Sequence, residues 1–340
     1  MTNAFSSRDI SVIIQGPIFD GQSNIAQRAI DSVLRFLPDA QVILCSHDDQ
    51  LEINAEEILI VRAEPSYHIV DINGNKNNVN KLIASMTSGL ELATREYCIK
   101  LRTDHVLVDG SLLCCIAAMA SNAETAELFH RKIGVSNLFL RDPLKVPYLF
   151  HLTDTLQYGR TEDLRKLWSI GQLPEKFLYL QNGPRTNPIG TFQGFTSFRL
   201  LPEQAIFLRF VQKNGLALDL EHISHTSFEL FNAWEDLLLN NFEVHDWQSL
   251  GVAPPARFLS RPYASESVIA ELDVGKRRAR RLPRHRALRY AHLLLNKYVL
   301  CWFNCRWLVS VASLLLFSFS PKIAIASRNL YRRFTGAGRT

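Results

Sequence analysis

Hydrophobic and polar positions follow two periods over the first 110 residues. Ile10–Gln15 is a β-branched run halted by the turn pair Gly16-Pro17, which predicts a strand. Ile25, Ala29, Val33 and Leu37 then recur at helical spacing, with Ser23 or Asn24 as cap and Pro38-Asp39 as the stop. Gln41–Cys45 and Ile58–Val61 predict two further strands. Asn78 precedes a helix whose Val79, Leu82, Ile83, Met86 and Leu90 make one apolar stripe. Tyr97–Leu101 is a fourth strand and runs into Arg102-Thr103-Asp104. This alternation predicts an α/β fold with a mostly parallel sheet flanked by helices, whose ligands bind beyond the carboxyl ends of the strands.

Farther along, the pattern predicts a helix from Ser111 towards Leu128 and another from Pro202 to Asn214-Gly215. Leu216–Leu220 reads as a late strand, and residues 130–200 as loops and short elements around a pocket. With 340 residues, 47% of them hydrophobic, the chain can bury a sizeable core. Charge divides it: residues 1–273 carry −10, and residues 274–340, without one acidic side chain, carry +15. An acidic body argues against a general nucleic-acid binder. The six cysteines have neither the number nor the spacing of a disulfide framework or zinc site. The first residues carry no charged and apolar leader pattern, so the body is expected in the cytoplasm.

The chain has no GxGxxG, no GxxxxGK[ST] and no GxSxG. Its chemistry therefore points to the strand end Lys100-Leu101-Arg102-Thr103-Asp104-His105. A carboxylate fixed there suits a hard divalent cation on a diphosphate, and Arg102 suits a phosphate directly; a plain Arg102–Asp104 ion pair closing the strand is the structural alternative. Asn78, Asn80 and Lys81 open the helix starting at Val79, where unpaired N–H groups favour anions.

Three segments together resemble the WavE family, associated with bacterial lipopolysaccharide and capsule synthesis. They are Ile10–Ile18 (ISVIIQGPI), Asn77–Ile83 (NNVNKLI) with Thr87-Ser88-Gly89-Leu90, and Lys100–Asp104 (KLRTD). Weaker support comes from His151–Trp168 and Pro202-Glu203-Gln204. The layout also resembles the N-terminal half of a GT-A glycosyltransferase, which implies a GT-A-like, Rossmann-like sheet. The implied activity is transfer of a sugar from a nucleotide-sugar donor to a glycan acceptor. Gln15, Gly16 and Pro17 would then meet the nucleotide base, and Asp104, with His105, would hold Mn²⁺ or Mg²⁺. Here R-x-D replaces the usual D-x-D, so Arg102 would supply part of the metal's charge. Glu203 or Asp154 would be the base that deprotonates the acceptor; either also suits a helix start or cap. A non-catalytic nucleotide- or glycan-binding scaffold is the rival reading. His222 and His225 follow the predicted late strand at a position where a further metal ligand is common in that fold.

The organisation expected is a transferase domain over residues 1–260 and a basic, apolar tail over 261–340. Lys276–Arg289 holds eight basic residues, and the longest uncharged apolar stretch after it, Trp307–Ser320, has 14. That is short of the roughly 20 residues needed to span a bilayer. Residues 276–320 are therefore expected to lie on an anionic membrane surface, on the inner face of the cytoplasmic membrane, near a lipid-linked acceptor; a helix packed as a cover on the catalytic body is the alternative, and RNA binding a lesser one.

Overall fold

The computed structural model describes residues 5–48, 52–55, 58–63, 69–70, 76–122, 124–180, 198–259 and 267–303, with parts of 308–330. Seven strands form the main sheet: β1 (Ile10–Gln15), β2 (Gln41–Ser46), β3 (Ile58–Arg62), β4 (Tyr97–Arg102), β5 (Ile133–Ser136), β6 (Leu156–Arg160) and β7 (Phe242–His245). Their order is β7-β5-β6-β4-β1-β2-β3. β3, β2, β1 and β4 run parallel, β6 pairs antiparallel with both β4 and β5, and β7 is parallel to β5. The 3-2-1-4 half is the arrangement of a Rossmann-type nucleotide-binding unit, whose crevice opens where the chain leaves β1 for opposite sides. The α/β layout expected from the sequence, a mostly parallel sheet flanked by helices, is present.

Helices cover both faces because the strands are apolar on both sides. Ile10, Val12 and Ile14 of β1 pack with Ala26, Ala29, Ile30 and Val33 of α1 (Ile25–Phe36). Ile13, one step out of phase, joins Val79, Ile83, Met86 and Leu90 of α2 (Val79–Leu92). Each buried Val, Leu, Ile or Met side chain among these contributes about 1.5–3 kcal/mol. α3 (Ser111–Ser121) lies on the α1 side, and α4 (Thr161–Trp168), α5 (Pro202–Lys213) and α6 (Phe228–Asn241) lie on the α2 side.

Three expectations change. α3 stops at Ser121, well before Leu128, because Asn122 turns to extended geometry and its Oδ1 accepts the Glu124 N–H at 3.0 Å. Leu216–Leu220 is not a strand: Leu216 N–H returns to Val211 O, and Gln212 Nε2 donates to Leu218 O, so the segment closes on α5. Within 130–200, the described residues 130–180 are more regular than their composition implied, supplying β5, β6 and α4.

Residues 271–298 are not detached from the body. α7 (Glu271–Ala279) and α8 (Pro283–Tyr298) pack on α6. Arg289 forks onto Glu235 at 2.6 and 2.7 Å, Arg277 reaches Asp142 at 2.6 Å, and Arg286 pairs with Asp236. Glu235 is 1% exposed.

Candidate functional site

The sheet register brings the first two predicted segments together. Gln15 lies beside Arg102 across β1 and β4, with both side chains on the α2 face. Gly16 then takes φ of +140°, and a Cβ there would stand 2.4 Å from Thr103 Oγ1. Only glycine lets these two strand ends approach so closely. Thr103 N–H closes the contact by donating to Gln15 O at 3.0 Å.

Beyond this edge is a cleft of ≈410 Å³. Gln15, Gly16, Pro17, Asn78, Lys81, Arg102 and Asp154 line it, together with His47, Asp48, Asn77, Ser85 and Pro202. Gln15 is buried, and neither its amide nitrogen nor its amide oxygen has a hydrogen-bond partner. A buried amide left open on both sides is costly in protein and suits a ligand that both donates and accepts. The first turn of α2 also faces the cleft. Asn77 Oδ1 takes the Val79 N–H at 2.9 Å, while the Asn78 side chain makes no cap bond.

Arg102 is 29% exposed, whereas its partner Asp104 is 4% exposed. Arg102 Nε and Nη2 bond the two Asp104 oxygens at 2.9 and 2.8 Å, and His105 Nδ1 lies 2.7 Å from Oδ1. Burial pushes the Asp104 carboxyl up, but the bonds to Arg102 and His105 outweigh it and hold the group well below the usual carboxylate range. Asp104 Oδ1 and Oδ2 are thus occupied by a cationic fork. As arranged, Asp104 and His105 do not fit a divalent cation, and no three His, Cys, Asp or Glu side chains among the described residues converge on a point. Arg102, buttressed by Asp104, lines the cleft as a cation, as does Lys81. Asp104 itself borders a separate cleft of ≈350 Å³ with Arg28 and Thr103.

The wall opposite α2 is set by a polar network. Lys100, fully buried, donates to Asp154 O and stands 5.3 Å from the Trp168 ring. Burial lowers its ammonium to about 8. Gln157, beside Lys100 in the sheet, donates to Thr153 O and accepts from Trp168 Nε1, each at 2.8 Å. The loop carrying Asp154 is therefore held from beneath. Asp154 also borders a small cavity shared with Glu203. At the start of α5, Gln204 ties its amide to Leu149 O and Ile223 O, leaving Glu203 beside His151, 3.7 Å from Nε2. Glu203 is 22% exposed; burial, then the charge of Asp154, raises its carboxyl to about 7. Burial drops His151 to about 3, so it faces Glu203 as a neutral ring.

Asn80 does not reach the cleft. Its fully buried amide donates to Leu173 O at 3.0 Å and accepts the Leu173 N–H at 2.7 Å, pinning a distant loop. His222 and His225 lie side by side, ring centroids 5.8 Å apart, on a turn outside the cleft. His47 and Asp48 also line the cleft without a motif that marks them, delivered by the carboxyl end of β2, the same edge that delivers Gln15 and Arg102. His47 Nε2 is 2.9 Å from Lys81 O, and Asp48 accepts the Ile18 N–H at 2.7 Å.

A family profile described as WavE lipopolysaccharide synthesis matches residues 10–303, which takes in the cleft and both C-terminal helices. The chain belongs to the WavE lipopolysaccharide synthesis family. A comparison with curated protein sequences finds no match. Among solved structures, a 4-diphosphocytidyl-2C-methyl-D-erythritol synthase from Anaerococcus prevotii is 14% identical with a TM-score of 0.31, over 47% of this chain and 74% of that one. The bifunctional IspDF from Campylobacter jejuni is 13% identical with a TM-score of 0.28, over 47% and 42%. A Drosophila β-1,4-galactosyltransferase 7, solved with manganese, UDP-Gal and xylobiose, is 10% identical with a TM-score of 0.27, over 65% and 72%. At these scores the likeness bears on neither activity nor ligand.

Proposed function

We propose that this WavE protein is a glycosyltransferase that moves a sugar from a nucleoside diphosphate donor to a lipopolysaccharide-core or capsule-type glycan on a lipid carrier, at the inner face of the cytoplasmic membrane. The observation that carries the reading is a cleft that joins the orphaned Gln15 amide to the α2 N-terminus beside Arg102, and whose wall residue Asp154 also borders the small cavity of Glu203, a carboxyl raised to about 7. Gln15 reads the edge of the base, with Gly16 and Pro17 against its face. The first turn of α2, Lys81 and Arg102 take the diphosphate. Glu203 accepts the proton of the acceptor hydroxyl, whose oxygen attacks the anomeric carbon. The sugar–phosphate C–O bond then breaks, and its electron pair leaves with the nucleoside diphosphate, beside Arg102. Asp154 keeps Glu203 basic by its charge. No step passes through a metal at Asp104, because its carboxylate is already committed to Arg102.

The test is a panel of nucleotide sugars, followed by release of nucleoside diphosphate with a lipid-linked glycan fraction as acceptor. At least one donor should raise the melting temperature and turn over. A folded protein that binds none of them would end the proposal.

A further inference from the structure

α8 turns three of its charged side chains, Arg286, Arg289 and Lys297, inward, beside the buried Leu293 and the partly buried Tyr290 and Leu294. Arg286 and Arg289 meet Asp236 and Glu235, and Lys297 donates to Ser224 O at 2.7 Å and Thr226 Oγ1 at 3.0 Å. The residues left outside recur at helical spacing and are mostly apolar, with one imidazole among them: Arg284, Ala287, Leu288, Ala291, His292, Leu295 and Tyr298. Leu288 is 69% exposed, and Phe303, just past the helix, is 84% exposed. Such a largely apolar stripe on a surface marks an interaction site.

The charges around it select the partner. Arg278, in the last turn of α7, and Arg280, just after it, are exposed, Arg284 heads the stripe, and the chain after Asp273 has no acidic residue. No helix among the described residues is long and apolar enough to cross a membrane. An apolar helical face flanked by cations, on a helix too short to span, lies flat in the interface of an anionic bilayer. We infer that the outward face of α8, with Phe303, is the docking surface of this protein on an anionic lipid bilayer. This deepens the membrane location proposed above and names the residues that hold it. It uses no residue of the cleft, so the two readings fail separately. The internal ion pairs set the angle of the contact: Arg286 and Arg289, bonded to α6, keep the apolar face pointing away from the body.

Co-sedimentation of the full chain with vesicles of phosphatidylcholine, alone or mixed with phosphatidylglycerol, tests this. The wild type should bind the mixed vesicles, weaken with salt, and leave neutral vesicles largely unbound. Leu288→Glu/Leu295→Glu should reduce binding at least tenfold with an unchanged melting temperature, since both side chains face outward. Arg280→Gln and Arg284→Gln should each cost roughly fivefold. Equal binding of wild type and the double-glutamate variant would overturn the inference. So would a protein that ignores both vesicles, or one that dimerises in sedimentation equilibrium through this face. Nucleotide binding in the cleft should be the same in every variant.

Discussion

Arg102 and Asp104 at the carboxyl edge of the sheet make the same fork-to-carboxylate bond as Arg289 and Glu235 under α8. The surroundings differ. Glu235 receives Arg289, has Arg277 and Arg286 within 3.9 Å, and is sealed between helices. Arg102 keeps part of its guanidinium in an open cleft, beside an amide with no protein partner. A closed ion-pair cluster is spent on holding helices in place. An open one, with polar groups left over around it, is organised for something that arrives later. The chemistry of the residues alone does not separate the two cases; what remains unpaired nearby does.

The largest effect should come from the closed cluster. Glu235→Ala strands a group of buried arginines, so urea unfolding should show a loss of about 3–5 kcal/mol. A loss under 1 kcal/mol would mean that α7 and α8 are held by apolar packing alone. In the open region, stability should change little and chemistry much. Glu203→Gln should cut transfer by ~10²-fold or more while the melting temperature stays near that of wild type. A base works when ionised. With its carboxyl at about 7, the log of kcat/KM should therefore climb with unit slope up to about pH 7 and then level. A climb ending near the ordinary glutamate value of roughly 4.3 would assign the proton to another group. Asp104→Asn should weaken nucleoside diphosphate binding by roughly tenfold but leave free nucleoside binding unchanged, because it loosens only the orientation of Arg102. Gln15→Leu should show the smallest effect, about two- to tenfold on the nucleoside itself, without loss of stability, since the amide gives up no bond within the protein.

How far the sequence speaks for these regions follows from how local their causes are. β1, β2 and β4 answer to short apolar runs and α1 and α2 to the period of 3.6, which neighbouring residues carry by themselves. β5 and β6 do not. Gly134 lies under the Tyr158 ring, where a Cβ would come within 2.2 Å of it, and Gln157 is buried for its bond to Trp168, so neither strand shows an apolar run. Gln15, Gly16, Pro17, Arg102 and Asp154 are legible because strand ends deliver them to one edge. Asn80 sits in the right turn of α2, but its side chain answers to Leu173, 93 residues away. The basic run 276–289 is plain in the sequence. That Arg277, Arg286 and Arg289 point inward is not, because Glu235, Asp236 and Asp142 lie on other elements.

The central claim is that Arg102, held by Asp104, is the cation that receives a donor diphosphate in this cleft. Titration calorimetry of nucleoside diphosphates and matching nucleosides, in excess EDTA, addresses it directly. The comparison is wild type against Arg102→Gln/Asp104→Asn, a pair that leaves no uncompensated charge behind. The account predicts that wild type binds a nucleoside diphosphate in EDTA. The double variant, folded by circular dichroism, should lose at least tenfold for the diphosphate and little for the nucleoside. Binding that appears only when Mn²⁺ is added, or a double variant that binds the diphosphate as wild type does, would contradict it.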